Sequence, residues 1–194
     1  MKNDYEIWER FKAGDKSALS YVYFQYFHSM FQYGIKFKDD PDFVKDCIQD
    51  VFIKLIKAGE KLGATENIRY YLFKALKNVL YKNMMKDRKT GFVTLEFDVP
   101  YALEEEISEK ENASEREKAL ANALSQLSPR QREIIYLRFE CGMDYNHICE
   151  IMQMKSDSAR KLVFRSIKSL KEIIEGYRTT PVLFFFSFPQ KHVF

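Results

Sequence analysis

The residues of this chain best suited to chemistry lie near its C-terminal end, in MKSDSARKLVFRSIKSLKEII, Met154 to Ile174. Ala159, Leu162, Val163, Ile167, Leu170 and Ile174 recur at steps of three and four, the stripe of a helix that packs on something. Ser158, Arg160, Lys161, Arg165 and Lys168 leave on the opposite side, and nearly all are basic. Such cations bind phosphate, and Arg or Lys can also donate to the edge of guanine. A charged face on an amphipathic helix is most often only solvated. The preceding residues argue for more than that.

Ser128-Pro129-Arg130-Gln131 reads as a capping box with proline at the first helical position. The helix it opens should bury Ile134, Ile135, Leu137 and Phe139 and stop at Gly142. Asp144 can cap a second, short helix in which Ile148, Ile151 and Met152 share a face. A tight turn at about Gln153 to Lys155 then leads into the basic helix. Two helices, a short turn and a basic second helix describe a helix-turn-helix, whose second helix enters the major groove with its N-terminal residues at the base edges. Lys155, Ser156, Asp157, Ser158, Lys161 and Arg165 are therefore the readout candidates, and Arg160 and Lys168 suit phosphate contacts. Phe164 is out of place on this face: it can pack on the preceding helix or meet a thymine methyl, and packing is the expectation.

Other chemistry finds few residues to work with. His28, His147 and His192 sit in no triad or metal signature, and Cys141, His147 and Cys149 lack a fourth ligand nearby in sequence. There is no glycine-rich phosphate loop and no nucleophile–base pairing. No enzyme activity, cofactor or metal is expected.

The elements that must position the basic face point to an all-α chain. Its 194 residues have room for one or two small domains, glycine and proline are scarce, and the net charge is +3. Three scattered cysteines suit a reducing cytoplasm. MKNDYEIWERFK lacks the apolar run of a signal peptide. The longest apolar run, Val182 to Phe186, is far short of the about 20 residues a membrane span needs, so a cytoplasmic protein without membrane insertion is expected. Helical patterns cover Asp4 to Ala13, Ser17 to Lys36, a stretch capped by Asp40 and Pro41 that ends near Gly59, and Asn67 to about Lys86. Residues 91–117 are acidic and aperiodic, with helix expected only near their end. The expected organisation is thus two small helical domains joined by an acidic linker, over 1–90, 91–117 and 118–178, with an apolar tail at 179–194.

LSPRQREIIYLRF and SDSARKLVFRSIKSL together resemble the domain-four helix-turn-helix of bacterial RNA polymerase sigma factors, above all the short extracytoplasmic-function group. The turn, MQMKS, departs from that pattern, with Gln153 and Lys155 in place of small or apolar residues. The first half agrees. DCIQDVFIKLI, Asp46 to Ile56, resembles the region 2.2 signature: Val44, Ile48, Val51, Phe52 and Leu55 form a core stripe, and Asp42, Asp46, Gln49 and Asp50 a polar one. A solvated face would look the same, but the resemblance implies that Asp46, Gln49 and Asp50 dock on the clamp helices of core RNA polymerase.

IRYYLFKALKNVLYKNMMKDRK resembles regions 2.3 and 2.4, with Tyr71, Leu72, Leu76 and Val79 expected in the core. Basic residues interleaved with aromatics suit single-stranded DNA, because every base offers a face to stack on. The resemblance implies that Arg69, Tyr70, Lys74, Lys77, Asn78 and Lys82 hold a melted promoter element, Asn78 matching a recurrent asparagine of the family. The Ala58 to Asn67 loop falls where relatives hold a flipped base.

The resemblance thus implies a sigma factor that directs RNA polymerase to specific promoters, with core RNA polymerase and promoter DNA as partners and an anti-sigma factor by family habit. The alternatives are a polymerase-independent helix-turn-helix regulator and a helical interaction module. The acidic linker would then either enter a nucleic-acid channel or serve as a soluble tether. The tail, rich in phenylalanine, would either dock on one of the domains or remain an ordinary extension.

Overall fold

The computed structural model describes residues 4–87, 96–98 and 115–176. Residues 91–95 and 99–114 of the expected linker and the tail at 179–194 lie outside them. The described residues are helical, with no strand among them.

Four helices build the N-terminal half: α1 (Asp4–Lys12), α2 (Lys16–Ile35), α3 (Pro41–Ala58) and α4 (Ile68–Asp87). Helix α1 carries Asp4 and Glu6 in its first turn and Arg10 and Lys12 in its last, the order the helix dipole favours. Asp15 caps α2 by accepting from the amides of Ser17 (2.7 Å) and Ala18 (3.3 Å). The Ser17 and Arg10 hydrogen bonds hold the Asp15 carboxyl well below the usual carboxylate range. Asp40 caps α3 through the Phe43 amide (3.0 Å), with Pro41 at the first helical position as expected.

Helix α4 lies at the centre of this half, with Leu72, Phe73, Leu76 and Leu80 fully buried against α2 and α3. The stripe Val44, Ile48, Val51, Phe52 and Leu55 is buried as expected. Trp8 stacks on Phe11 (5.1 Å between centroids) and meets Tyr71 (4.7 Å), which ties α1 to α4. Gly34 is a contact point of α2 and α3: a Cβ there would stand 2.6 Å from Val44 Cγ1.

The C-terminal half comprises α5 (Glu115–Ser125), α6 (Pro129–Ile135), α7 (Tyr145–Met152) and α8 (Ser156–Gly176). The described α5 starts at Glu115, so helix extends back into residues assigned to the linker. The Ser128 capping box is present, both halves of it. The helix it opens does not run as α-helix to Gly142: from Tyr136 to Glu140 it widens into a single π turn, because the Cys141 amide reaches back to the Tyr136 carbonyl (3.0 Å). Asp144 caps α7 through the His147 amide (2.8 Å). Gln153 closes α7 in the left-handed region at φ 51°. The departure noted at the turn thus falls on a position that glycine would fill without strain.

Candidate nucleic-acid interface

Helix α8 buries Ala159, Val163, Leu170 and Ile174 against α5, α6 and α7. Lys155, Ser156, Asp157, Ser158, Arg160, Lys161, Arg165 and Lys168 are all exposed, along the first four turns and the turn before them. Arg165 is steadied by a hydrogen bond from its Nε to the Lys161 carbonyl (3.3 Å). Arg160 is less free than its neighbours, because its guanidinium lies over the Tyr145 ring of α7 (4.9 Å). Phe164 corrects the expectation of packing. It is 70 % exposed, one position from Arg165. Its neighbours Val163 and Leu162 fill the packing positions instead, so the phenyl ring joins the outward face.

The second candidate surface starts at the loop between α3 and α4. Gly59 turns the chain at φ 48°, a short 3-10 turn follows over Gly59–Lys61, and Leu62 tucks into the core. Trp8 Nε1 donates to the Gly63 carbonyl (2.8 Å), and Asn67 Oδ1 accepts from the Tyr70 amide (2.9 Å). Asp4 reaches across from α1 to accept from the Ile68 amide (3.0 Å). This loop is therefore held at its middle and at its α4 end by side chains of α1, and by its own Asn67 at the start of α4. Asn78 and Lys82 are exposed on α4.

Arg69, Tyr70, Lys74 and Lys77 are not free. The C-terminal half lies against them. Arg69 donates to the Cys141 carbonyl (3.1 Å). Tyr70 stacks on His147 (4.3 Å between centroids) and its hydroxyl bonds Glu150. Lys74 pairs with Glu150 at 2.5 Å, which lowers the Glu150 carboxyl and raises the Lys74 ammonium from their ordinary values. Lys77 pairs with Glu133 at 2.5 Å, and Tyr33 donates to the same carboxylate oxygen at 2.8 Å. Glu133 and Tyr33 are both buried, and loss of hydration together with the nearby Glu133 charge pushes the Tyr33 phenol well above its usual range.

Phe97 completes this junction. It is buried against Tyr33, Phe37 and Tyr136, while Arg132 bonds its carbonyl (3.0 Å) and pairs with Asp98 (3.0 Å). Lys36 lies over the Tyr136 ring (5.2 Å), and burial lowers its ammonium from the ordinary value. On α3, Asp46 and Gln49 are exposed, and Asp50 is half-buried, accepting from Asn83 Nδ2 (3.3 Å).

Residues 117–170, the span of the helix-turn-helix, match the family model described as sigma-70, region 4. RNA polymerase sigma-H factor of Pseudomonas aeruginosa is 24 % identical over 185 residues, covering 90 % of this chain and 95 % of the relative. These matches make the chain similar to RNA polymerase sigma factors, with the region 4 likeness over its C-terminal helices. Solved structures share the fold of this chain. CnrH, solved with the cytosolic domain of CnrY, aligns over 90 % of this chain and 99 % of its own at a TM-score of 0.61 and 16 % identity. RpoE of Bartonella quintana, solved with the anti-sigma factor NepR, aligns over 82 % and 98 % at 0.56 and 21 % identity.

Sequence patterns do not single out Tyr33, Phe97, Arg132, Glu133 or Glu150. One signal was available for Glu133: it stands one helical turn before Leu137, on the face expected to be buried. Nothing local marks the other four.

Proposed function

We propose that the two helical halves divide promoter recognition between them. As a sigma factor, the chain directs RNA polymerase to specific promoters, with core RNA polymerase and promoter DNA as its partners. The C-terminal unit over 118–178 reads the upstream element in the major groove with Lys155, Ser156, Asp157, Ser158, Lys161 and Arg165, and Arg160 and Lys168 contact phosphates. The N-terminal unit over 1–90 docks on polymerase with Asp46, Gln49 and Asp50 and holds melted DNA with Arg69, Tyr70, Lys74, Lys77, Asn78 and Lys82. The observation that carries this reading is the exposed, mainly basic face of α8 inside the segment that matches region 4.

In this reading the chain supplies recognition and no catalytic group. Among the described residues, no helix is long and apolar enough to cross a membrane. Work on polymerase would place the protein in the cytoplasm. The two aligned structures carry bound partners, CnrY and NepR, and an anti-sigma factor is a partner to expect here as well.

The test is run-off transcription with purified core polymerase on genomic fragments of the host, with and without this chain. Discrete transcripts that need the chain are expected. Tight duplex binding without polymerase, and no transcripts, would instead make it a free-standing regulator.

A further inference from the structure

Three side chains of the helix-turn-helix meet at one ring. Tyr145, the first residue of α7, is half-buried. The Arg138 guanidinium, from the π turn, lies 5.1 Å from its centroid, and the Arg160 guanidinium, from α8, lies 4.9 Å from it. Arg138 is fixed further, because its Nη1 donates to the Met143 carbonyl at 2.7 Å. Three separate elements thus bring two cations to one aromatic ring.

A ring attracts a cation to its face, but a second like charge at the same ring adds repulsion between the two. Among the described residues, no carboxylate pairs with either guanidinium to relieve that repulsion. Asp144, next to Tyr145 in the chain, gives its Oδ1 to the His147 amide instead (2.8 Å). An anion held by both guanidiniums would relieve it, and their planar forks suit the oxygens of a phosphate. In a helix-turn-helix the helix before the recognition helix crosses the DNA backbone, and Tyr145 opens that helix here.

We propose that Arg138, Tyr145 and Arg160 form one site for a backbone phosphate of duplex DNA. The two guanidiniums donate to the phosphate, and Tyr145 is a positioning residue that holds both of them through its ring. The proposal rests on the assignment of α8 to the major groove, and it extends the DNA-binding surface from α8 to the π turn and the start of α7. Such a contact carries no base information, so it sets affinity and register and leaves base preference to the exposed face of α8.

The test uses the full chain and a fluorescein-labelled, mixed-sequence DNA duplex, with binding read by anisotropy over a series of salt concentrations. Arg138→Gln and Arg160→Gln are each expected to bind about tenfold more weakly and to lower the slope of log affinity against log salt by about 0.9, the share of one phosphate. Lys45→Gln, which removes an exposed cation of α3, should match wild type. Tyr145→Phe keeps the ring and should match it too. Tyr145→Leu should weaken binding in the wild-type background and have no effect once Arg138 and Arg160 are both glutamine, because the ring then has nothing to position. A wild-type slope in Arg138→Gln, or an equal loss from Tyr145→Leu in both backgrounds, would overturn the proposal. Should the Arg138 or Tyr145 variants fail to fold, Arg160→Gln decides, since its side chain is exposed: an unchanged slope there overturns the site, and a slope lower by about 0.9 supports it. Arg165→Gln separates this site from the reading it rests on. Weaker binding by that variant, with a wild-type slope in Arg138→Gln, would remove the site and leave α8 on the duplex. A loss confined to Arg138→Gln and Arg160→Gln would support the site and count against groove readout by Arg165, and no effect in any of the three would overturn both.

Discussion

Arg165 and Phe164 stand side by side on the exposed face of α8, and they offer different contacts. A guanidinium can donate two hydrogen bonds to a guanine edge, whereas a phenyl ring can meet a thymine methyl. Arg165→Ala is expected to weaken binding to the upstream element by about 1–3 kcal/mol and to relax preference at one base pair. Lys168→Ala, at a position suited to phosphate, should weaken all duplexes alike and flatten the salt dependence. Electrophoretic mobility assays on the element and on single-base variants, repeated at several salt concentrations, separate the two. Wild-type binding by the Arg165 variant would remove it from the readout set.

At the scale of elements, the tightest constraint is the crossing of α2 and α3 at Gly34. A methyl group there would stand 2.6 Å from Val44 Cγ1, and Val44 is fully buried, short and branched, so it has no room to swing away. Alanine is otherwise the better helix former by about 1 kcal/mol. Overpacking of a dense core typically costs about 1–3 kcal/mol and should win. Gly34→Ala is therefore expected to lower the midpoint of urea unfolding. A midpoint that rises would mean that the two helices separate more readily than their packing implies.

At the scale of the whole molecule, closure of the two helical halves on each other should depend on pH. The Lys74 and Tyr70 hydrogen bonds lower the Glu150 carboxyl in the closed state, with the Lys74 charge adding to the effect and that of His147 a smaller contribution. A carboxyl whose value is lower when closed favours closure above its ordinary value, about 4.3, and that favour is lost as pH falls toward the closed-state value. The radius of gyration is therefore expected to be smallest near neutrality and to grow as pH drops below about 4.3, while far-ultraviolet circular dichroism still reports helix. The Glu150→Gln variant should lack that part of the response. An identical pH profile in wild type and variant would count against Glu150 as a titrating element of the closure.

The features legible in the sequence are those set by neighbours in the chain. Caps at Asp40, Ser128 and Asp144 depend on side chains reaching amides three residues on, and the core stripes of α3 and α8 depend on helical period alone. The exposed basic face of α8 is legible for the same reason, since the apolar stripe fixes which side must leave the core. The π turn after Ile135 was not legible, because nothing in YLRFE separates a widened turn from an ordinary one. Phe164 misled because an aromatic residue usually gains by burial, yet Val163 and Leu162 already fill that side. The junction of the two halves was beyond any local pattern. Glu133 meets Lys77 across 56 residues and Tyr33 across 100, and Glu150 meets Lys74 across 76. Residue type and helical period are local, and they specify which positions are basic, aromatic and helical. Which of those charges face water and which face a carboxylate depends on how the two helical halves meet, a contact that joins residues far apart in the chain.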